Sequence, residues 1–230
     1  MEIGKALTYI FEDKRWFQKT IIAWLITIVP ILNFAFAGYV TKTLKNVEAA
    51  STEPLPEWDD LGQKFTWGLL LLIAAIIYAL PVLILSGLFV IPTVLASGNS
   101  SDALSSVLAG GMILVSCLIS LYALALSFFY PAVHINFSRT LTLGSCFQFS
   151  EIFKIFKFNS GNYLLAWFMA IVWSIAIGLG AGIIAFVVGL IPCIGWIADL
   201  IIIGIASVAT TLVYAHLFGQ VAQKQRMSAM

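Results

Sequence analysis

Charge is what this sequence has least of. Of 230 residues, 12 are lysine or arginine and 11 aspartate or glutamate, so 10% are charged against 61% hydrophobic. A soluble domain of this size could not cover so much apolar surface. The net charge of +1 leaves no basic face once the apolar segments are set aside, which argues against a nucleic-acid partner. Histidine is limited to His134 and His216, and two histidines without a third ligand make a poor metal set. Cysteine is limited to Cys117, Cys146 and Cys193, with no CxxC pair and no disulfide framework; these read as small hydrophobes. The chain has no GxSxG, no HExxH, no P-loop and no pair of intramembrane aspartates. No catalytic, metal or cofactor-binding residue is assigned, and no enzyme is expected. Glu2, Glu12 and Asp13 among the first lysines do not fit a secretory signal.

Long apolar runs dominate instead. Thr20–Val40, Trp67–Ala96, Val107–Phe137, Tyr163–Ile191 and Trp196–Gly219 each reach or exceed the ~20 residues that cross a bilayer. Pro81, Pro92 and Pro131 should bend or end their runs. The links Ser97–Ser106 and Ile191–Gly195 contain no lysine or arginine. Basic residues concentrate in cytoplasmic loops, so those two links belong outside and both termini inside. The first run then poses a problem. If it crossed once, either Lys5, Lys14, Arg15 and Lys19 or Lys42, Lys45 and Lys64 would lie outside. A reversal at Pro30–Asn33 keeps all of them cytoplasmic. Proline removes a helical hydrogen bond there and asparagine tolerates turn geometry. The arms would be about Lys14–Val29 and Phe34–Ala49, either two short spans or a re-entrant loop. LIPCIGW (Leu190–Trp196) repeats the chemistry of VPILNF (Val29–Phe34) and marks a second hairpin.

Two further segments read as surface helices. PEWDDLGQKF has Pro56 at a first turn, Glu57, Asp59 and Asp60 near the positive helix end, and Trp58, Leu61 and Phe65 on one face. Ser145–Phe158 carries an apolar stripe of Phe149, Ile152, Phe153 and Phe156 opposite Gln148, Glu151, Lys154 and Lys157. The expected fold is therefore all-α: a polytopic helical membrane protein of about six membrane helices, the first two a short hairpin, plus two cytoplasmic interfacial amphipathic helices. Residues 1–225 should form a single integral membrane domain. The tail from Gln220 is polar and should be mobile, with 226–230 falling outside the membrane domain. Ala170, Ser174, Gly178 and Gly182 on one helix, and Ser207, Thr211, Ala215 and Gly219 on the next, should pack on each other or on another subunit. The GLGAG within the first stripe is a packing element rather than a nucleotide motif.

PLPEWDD, following a hairpin of the VPILNFAFAGYVTKTLKNV kind, resembles an uncharacterised prokaryotic membrane-protein family, domain of unknown function 4013. The resemblance covers most of the chain, with Asn33 here where that family often has glycine. It implies a bacterial or archaeal inner (plasma) membrane protein and brings no activity, cofactor or site with it.

Four polar residues are candidates for function. Asp199 is the acidic residue inside a span; it costs at least ~2.5 kcal/mol in lipid and could mark a cation or proton site. The simpler account is a first-turn position near the interface and the positive helix end. His134 and His216 sit near cytoplasmic helix ends, where they could meet or simply pack. Asn33, like Asn136 and Gln220, is a polar residue near a helix end. The leading functional reading is a non-catalytic scaffold or partner-binding component that touches lipid and other membrane proteins or itself. The alternative is a transporter or channel for a small solute or ion, with a site near the helix breaks.

Overall fold

The computed structural model describes residues 1–96, 102–191 and 194–228. Among them are eight α-helices and no strand: α1 Lys5–Glu12, α2 Trp16–Ile28, α3 Asn33–Glu48, α4 Leu61–Ala96, α5 Asp102–Thr140, α6 Phe149–Phe158, α7 Ser160–Gly189 and α8 Ile194–Ser228, with a 3-10 turn at Leu143–Phe147. Four of them are long and apolar enough to cross a membrane, over Leu61–Val94, Ser106–Thr140, Ser160–Gly189 and Gly195–Ser228. Pro81 and Pro92 lie inside α4 and Pro131 inside α5, so none of these prolines ends its helix. Residues 97–101 of the expected Ser97–Ser106 link, and Pro192 and Cys193 of the expected second break, lie outside the described residues. Around that break α7 stops at Gly189 and α8 starts at Ile194.

The first run does reverse. α2 ends at Ile28, Val29 turns extended (φ −88°, ψ 113°), and α3 restarts at Asn33, whose N–H donates to the Val29 carbonyl at 3.0 Å. Pro30 has no N–H to continue α2. Trp58 shows that the two arms run back on each other. Its ring stacks on Tyr39 of α3 at 4.2 Å, while its indole N–H donates to the Lys19 carbonyl of α2 at 2.9 Å. The arms are about 20 and 24 Å long at 1.5 Å per residue, short of the ~30 Å hydrocarbon core. The tip is apolar and exposed at Val29, Ile31 and Leu32.

α3 is the buried centre although its sequence is the less apolar arm. It holds Lys42, Lys45 and Glu48 yet buries Phe36, Gly38, Tyr39, Thr41, Thr43 and Leu44. Two glycines make this possible. A Cβ on Gly38 of α3 would overlap the Lys64 carbonyl of α4, and a Cβ on Gly68 of α4 would overlap the Phe34 carbonyl of α3. Each glycine thus receives the other helix's backbone, four residues from the point where its own backbone is received. Such contact needs residues without side chains. α8 does the same for both arms. Gly219 lies against Val47 and the Leu44 carbonyl of α3, and Gly204 lies under the Trp24 indole of α2. These two contacts are fifteen residues apart on α8, about 22 Å along its axis.

Several expectations are corrected. PEWDD is not helical: residues 56–60 are irregular and α4 begins only at Leu61. Stacking holds Trp58 on Tyr39, Asp60 adopts φ 46°, and the Asp60 carbonyl accepts from the Gln63 and Lys64 N–H groups that open α4. The second surface segment is helical only from Phe149, after a 3-10 turn, and it buries Ile152 and Ile155 while Phe149 and Phe153 stay exposed. The stripe on α7 does not pack on α8. Ser174, Gly178 and Gly182 are exposed, and the space over both glycines is open. α7 buries Tyr163, Ala166 and Ala185 instead. The polar end is not loose from Gln220 onward, because α8 runs to Ser228 and buries Gln220, Val221 and Ala222.

The chain forms two compact units, Met1–Leu71 with Ala132–Met230, and Leu72–Pro131. Within the second unit polar side chains serve backbone carbonyls: Thr93 donates to Phe89, Ser120 to Ser116, and Tyr122 to Tyr78 at 2.7 Å.

Candidate functional site

Among the described residues the buried polar side chains lie in the first unit, and four clusters of them join elements distant in sequence. The first closes the hairpin's base. Lys19, in the first turn of α2, has its side chain 4% exposed. Its ammonium meets Asp13 at 2.7 Å, Glu57 at 2.8 Å and the Leu55 carbonyl at 2.9 Å. All three ammonium protons are therefore used, which is what a buried lysine requires. Arg15 adds a 2.6 Å contact to Glu57, but both side chains are largely in solvent, so it contributes little.

The second cluster holds His134, buried in α5. The Thr41 hydroxyl donates to the Ala37 carbonyl and lies 2.9 Å from His134 Nε2. With its one proton so used, Thr41 accepts from Nε2–H, and Nδ1 is left to accept from the Tyr214 hydroxyl at 3.4 Å. Both ring nitrogens of a neutral imidazole are occupied. The third cluster is Glu48, buried at the end of α3, with Arg139 at 2.7 Å; Arg139 also donates to Gln225 at 3.0 Å. It ties the C-terminal ends of α3, α5 and α8 together.

The fourth cluster docks the first residues of the chain. Tyr9 stacks on His216 at 4.3 Å and donates to the Leu212 carbonyl at 2.9 Å. Burial pushes the Tyr9 phenol well above its ordinary range, so it stays a neutral donor. Gln220 accepts from the Glu2 N–H at 2.7 Å and donates to the Glu2 carbonyl at 3.0 Å, with its amide nitrogen also 3.0 Å from His216 Nδ1.

The sequence candidates fare unequally. His134 and His216 are not brought together. His134 faces Thr41 and Tyr214, and His216 faces Tyr9 and Gln220. Tyr214 and His216, two residues apart on α8, point to opposite sides of that helix. Among the described residues no group of three histidine, cysteine or acidic side chains could hold a metal ion. Asp199 lies partly buried against Gly189 of α7, and its Oδ1 is buried without a hydrogen-bond partner among the described residues. Asn33 is exposed at the start of α3. Cys146 is buried, and desolvation pushes its thiol up to about 11, which makes it inert. Lys19, Asp13, Glu48, Arg139 and Thr41 were not anticipated as a network. The available signal was a lysine immediately before an apolar run, with hydroxyl residues inside the weakly apolar arm.

Two cavities border this layer. One of about 310 Å³ is lined by Lys5, Val47, Ser51, His216, Gln220 and Lys224 among others. The other, about 390 Å³, is lined by Lys42, Glu53, Asp60, Lys64 and Trp67 among others. Neither is lined by Asp199 or Asn33.

A family model described as protein of unknown function (DUF4013) matches residues 21–186. The match takes in the hairpin, the PLPEWDD segment and three of the four long helices. No curated protein and no solved structure matches the chain.

Proposed function

Because this chain belongs to the DUF4013 family, whose function is unknown, we propose its role from its geometry: a non-catalytic membrane scaffold or partner-binding component of a prokaryotic cell membrane, with both termini cytoplasmic. The observation that carries the reading is the outward α7 face of Ser174, Gly178 and Gly182. In lipid a small-residue stripe gains most when another helix backbone closes on it. The surrounding chemistry supports it. Apart from Thr20, Trp173 and Asp199, the buried polar side chains described above for the first unit are paired in ways that fix helices, and the histidines are tied as neutral donors and acceptors. The competing transporter reading needs a solute-sized space beside Asp199 or Asn33, and the two cavities described above lie elsewhere.

The α2–α3 hairpin enters the bilayer from the cytoplasm and returns, so the membrane contains four full spans and one deep hairpin. Its polar arm α3 is shielded by α4 and α8, and its tip carries exposed apolar side chains at Val29, Ile31 and Leu32. α6 lies at the interface with Phe149 and Phe153 toward the acyl boundary. The test is cross-linking in native membranes. A cysteine at Gly178 should form a defined adduct with one membrane protein or a second copy, while one at Phe186, also exposed on α7, should not. Proton or alkali-cation flux through the purified protein in liposomes, with no adduct from Gly178, would instead establish the transporter.

A further inference from the structure

We infer that the cavity at the α1–α8 corner is a binding site for a phosphate group, carried by a lipid headgroup or free in solution. Two ammonium groups, Lys5 and Lys224, line it. Each has only weak attachments elsewhere. Lys5 is 3.7 Å from Glu2, both side chains being mostly exposed, and Lys224 makes a 3.4 Å bond to Asn162. Two lysines opposed by the single carboxylate of Glu2 leave the rim positive. The wall adds a neutral donor. Gln220 is pinned by Glu2, whose N–H must donate to its carbonyl oxygen, so its amide nitrogen is the atom facing His216 Nδ1. Nδ1 therefore accepts, and the imidazole proton resides on Nε2. His216 is 3% exposed, lines the cavity, and has one ring face covered by Tyr9. The Nε2–H is the group it has left to offer. One fixed N–H and two mobile ammonium groups around about 310 Å³ match the several acceptor oxygens and negative charge of a phosphate monoester. Ser51 closes one side, its hydroxyl donating to the Glu53 carbonyl at 3.2 Å.

The full chain, purified in a neutral detergent, is titrated calorimetrically with inorganic phosphate. In parallel it is placed in nanodiscs of phosphatidylcholine alone or mixed with phosphatidic acid, and its unfolding midpoint is measured. Binding of inorganic phosphate assigns a free anion. A midpoint raised by phosphatidic acid alone assigns a headgroup. In whichever arm responds, Lys5→Gln and Lys224→Gln should each weaken binding about tenfold, the size of a lost charge-assisted hydrogen bond. Lys224→Arg should restore it, and added salt should weaken it. Ser51→Phe, which fills the cavity without removing a charge, should also abolish binding. The site is refuted if neither arm responds. It is equally refuted if the folded Lys5→Gln/Lys224→Gln double variant, or Ser51→Phe, binds as the parent does.

Discussion

The two units of this molecule meet the same solvent with opposite chemistry. Leu72–Pro131 contains one charged residue, Asp102, in sixty. Its hydroxyls donate to carbonyls, mostly a turn away on the same helix. Met1–Leu71 with Ala132–Met230 buries Asp13, Lys19, Glu48, Lys64, His134 and His216. There polar side chains bridge elements far apart in sequence, Thr41 to His134 and Glu48 to Arg139. The lesson concerns what specifies structure in lipid. Lipid tails are as apolar as leucine, so burial alone does not choose a partner helix. Hydrogen bonds and close backbone contact do, and they are concentrated where the short hairpin must be held.

That contrast can be broken by substitution. The largest effect is expected at Lys19. Lys19→Ala strands buried Asp13, and an uncompensated buried charge costs ~3–5 kcal/mol, measured as the loss in unfolding free energy on titration with sodium dodecyl sulfate. Lys19→Met with Asp13→Leu removes both buried partners and should cost clearly less than the single change. Next come the backbone contacts. Gly38→Ala and Gly68→Ala force α3 and α4 apart and should each cost ~1–3 kcal/mol in the same assay. Because both act on one crossing, the double variant should cost less than the two added together. A third, smaller effect is expected from Trp58→Phe, which keeps the stacking on Tyr39 but loses the bond to the Lys19 carbonyl, ~1 kcal/mol. Smallest is Ser120→Ala in the second unit, where the hydroxyl serves its own helix: a change within ~0.5 kcal/mol. Gly178→Ala sharpens the comparison differently. With open space over it, alanine should leave the isolated protein's unfolding free energy unchanged or raised by up to ~1 kcal/mol, yet weaken any complex formed through that face.

Much of this fold was legible in the residues. Basic residues on both flanks of a run with Pro30 at its centre predicted the reversal, because charge sidedness and a missing N–H are local facts. The long helices followed from length and hydropathy. What failed was decided by tertiary contact. Pro56, Glu57, Asp59 and Asp60 carry a sound helix-start signature, but Trp58 is pulled onto Tyr39 and the helix waits until Leu61. The four-residue stripe on α7 drifts from the 3.6-residue turn, and the buried face is the one through Tyr163, Ala166 and Ala185. Gly38 and Gly68 showed only as isolated glycines in helical patterns, a signal that says a packing reason exists without naming the partner. The polar network was least legible. A lysine at the edge of an apolar run is as easily read as snorkelling to the interface, and only the fold shows Asp13 and Glu57 arriving from either side.

The account rests on the hairpin entering and leaving by one face of the membrane. Single cysteines at Lys14 and at Thr52, both exposed and on opposite ends of the hairpin, can be placed in a chain with Cys117, Cys146 and Cys193 replaced by serine. They are then labelled with a membrane-impermeant maleimide in sealed vesicles of known orientation. Both should react in inside-out vesicles and be protected in right-side-out ones. Reaction of Lys14→Cys and Thr52→Cys from opposite sides would mean that the first apolar run crosses the bilayer once, and the arrangement described here would be wrong.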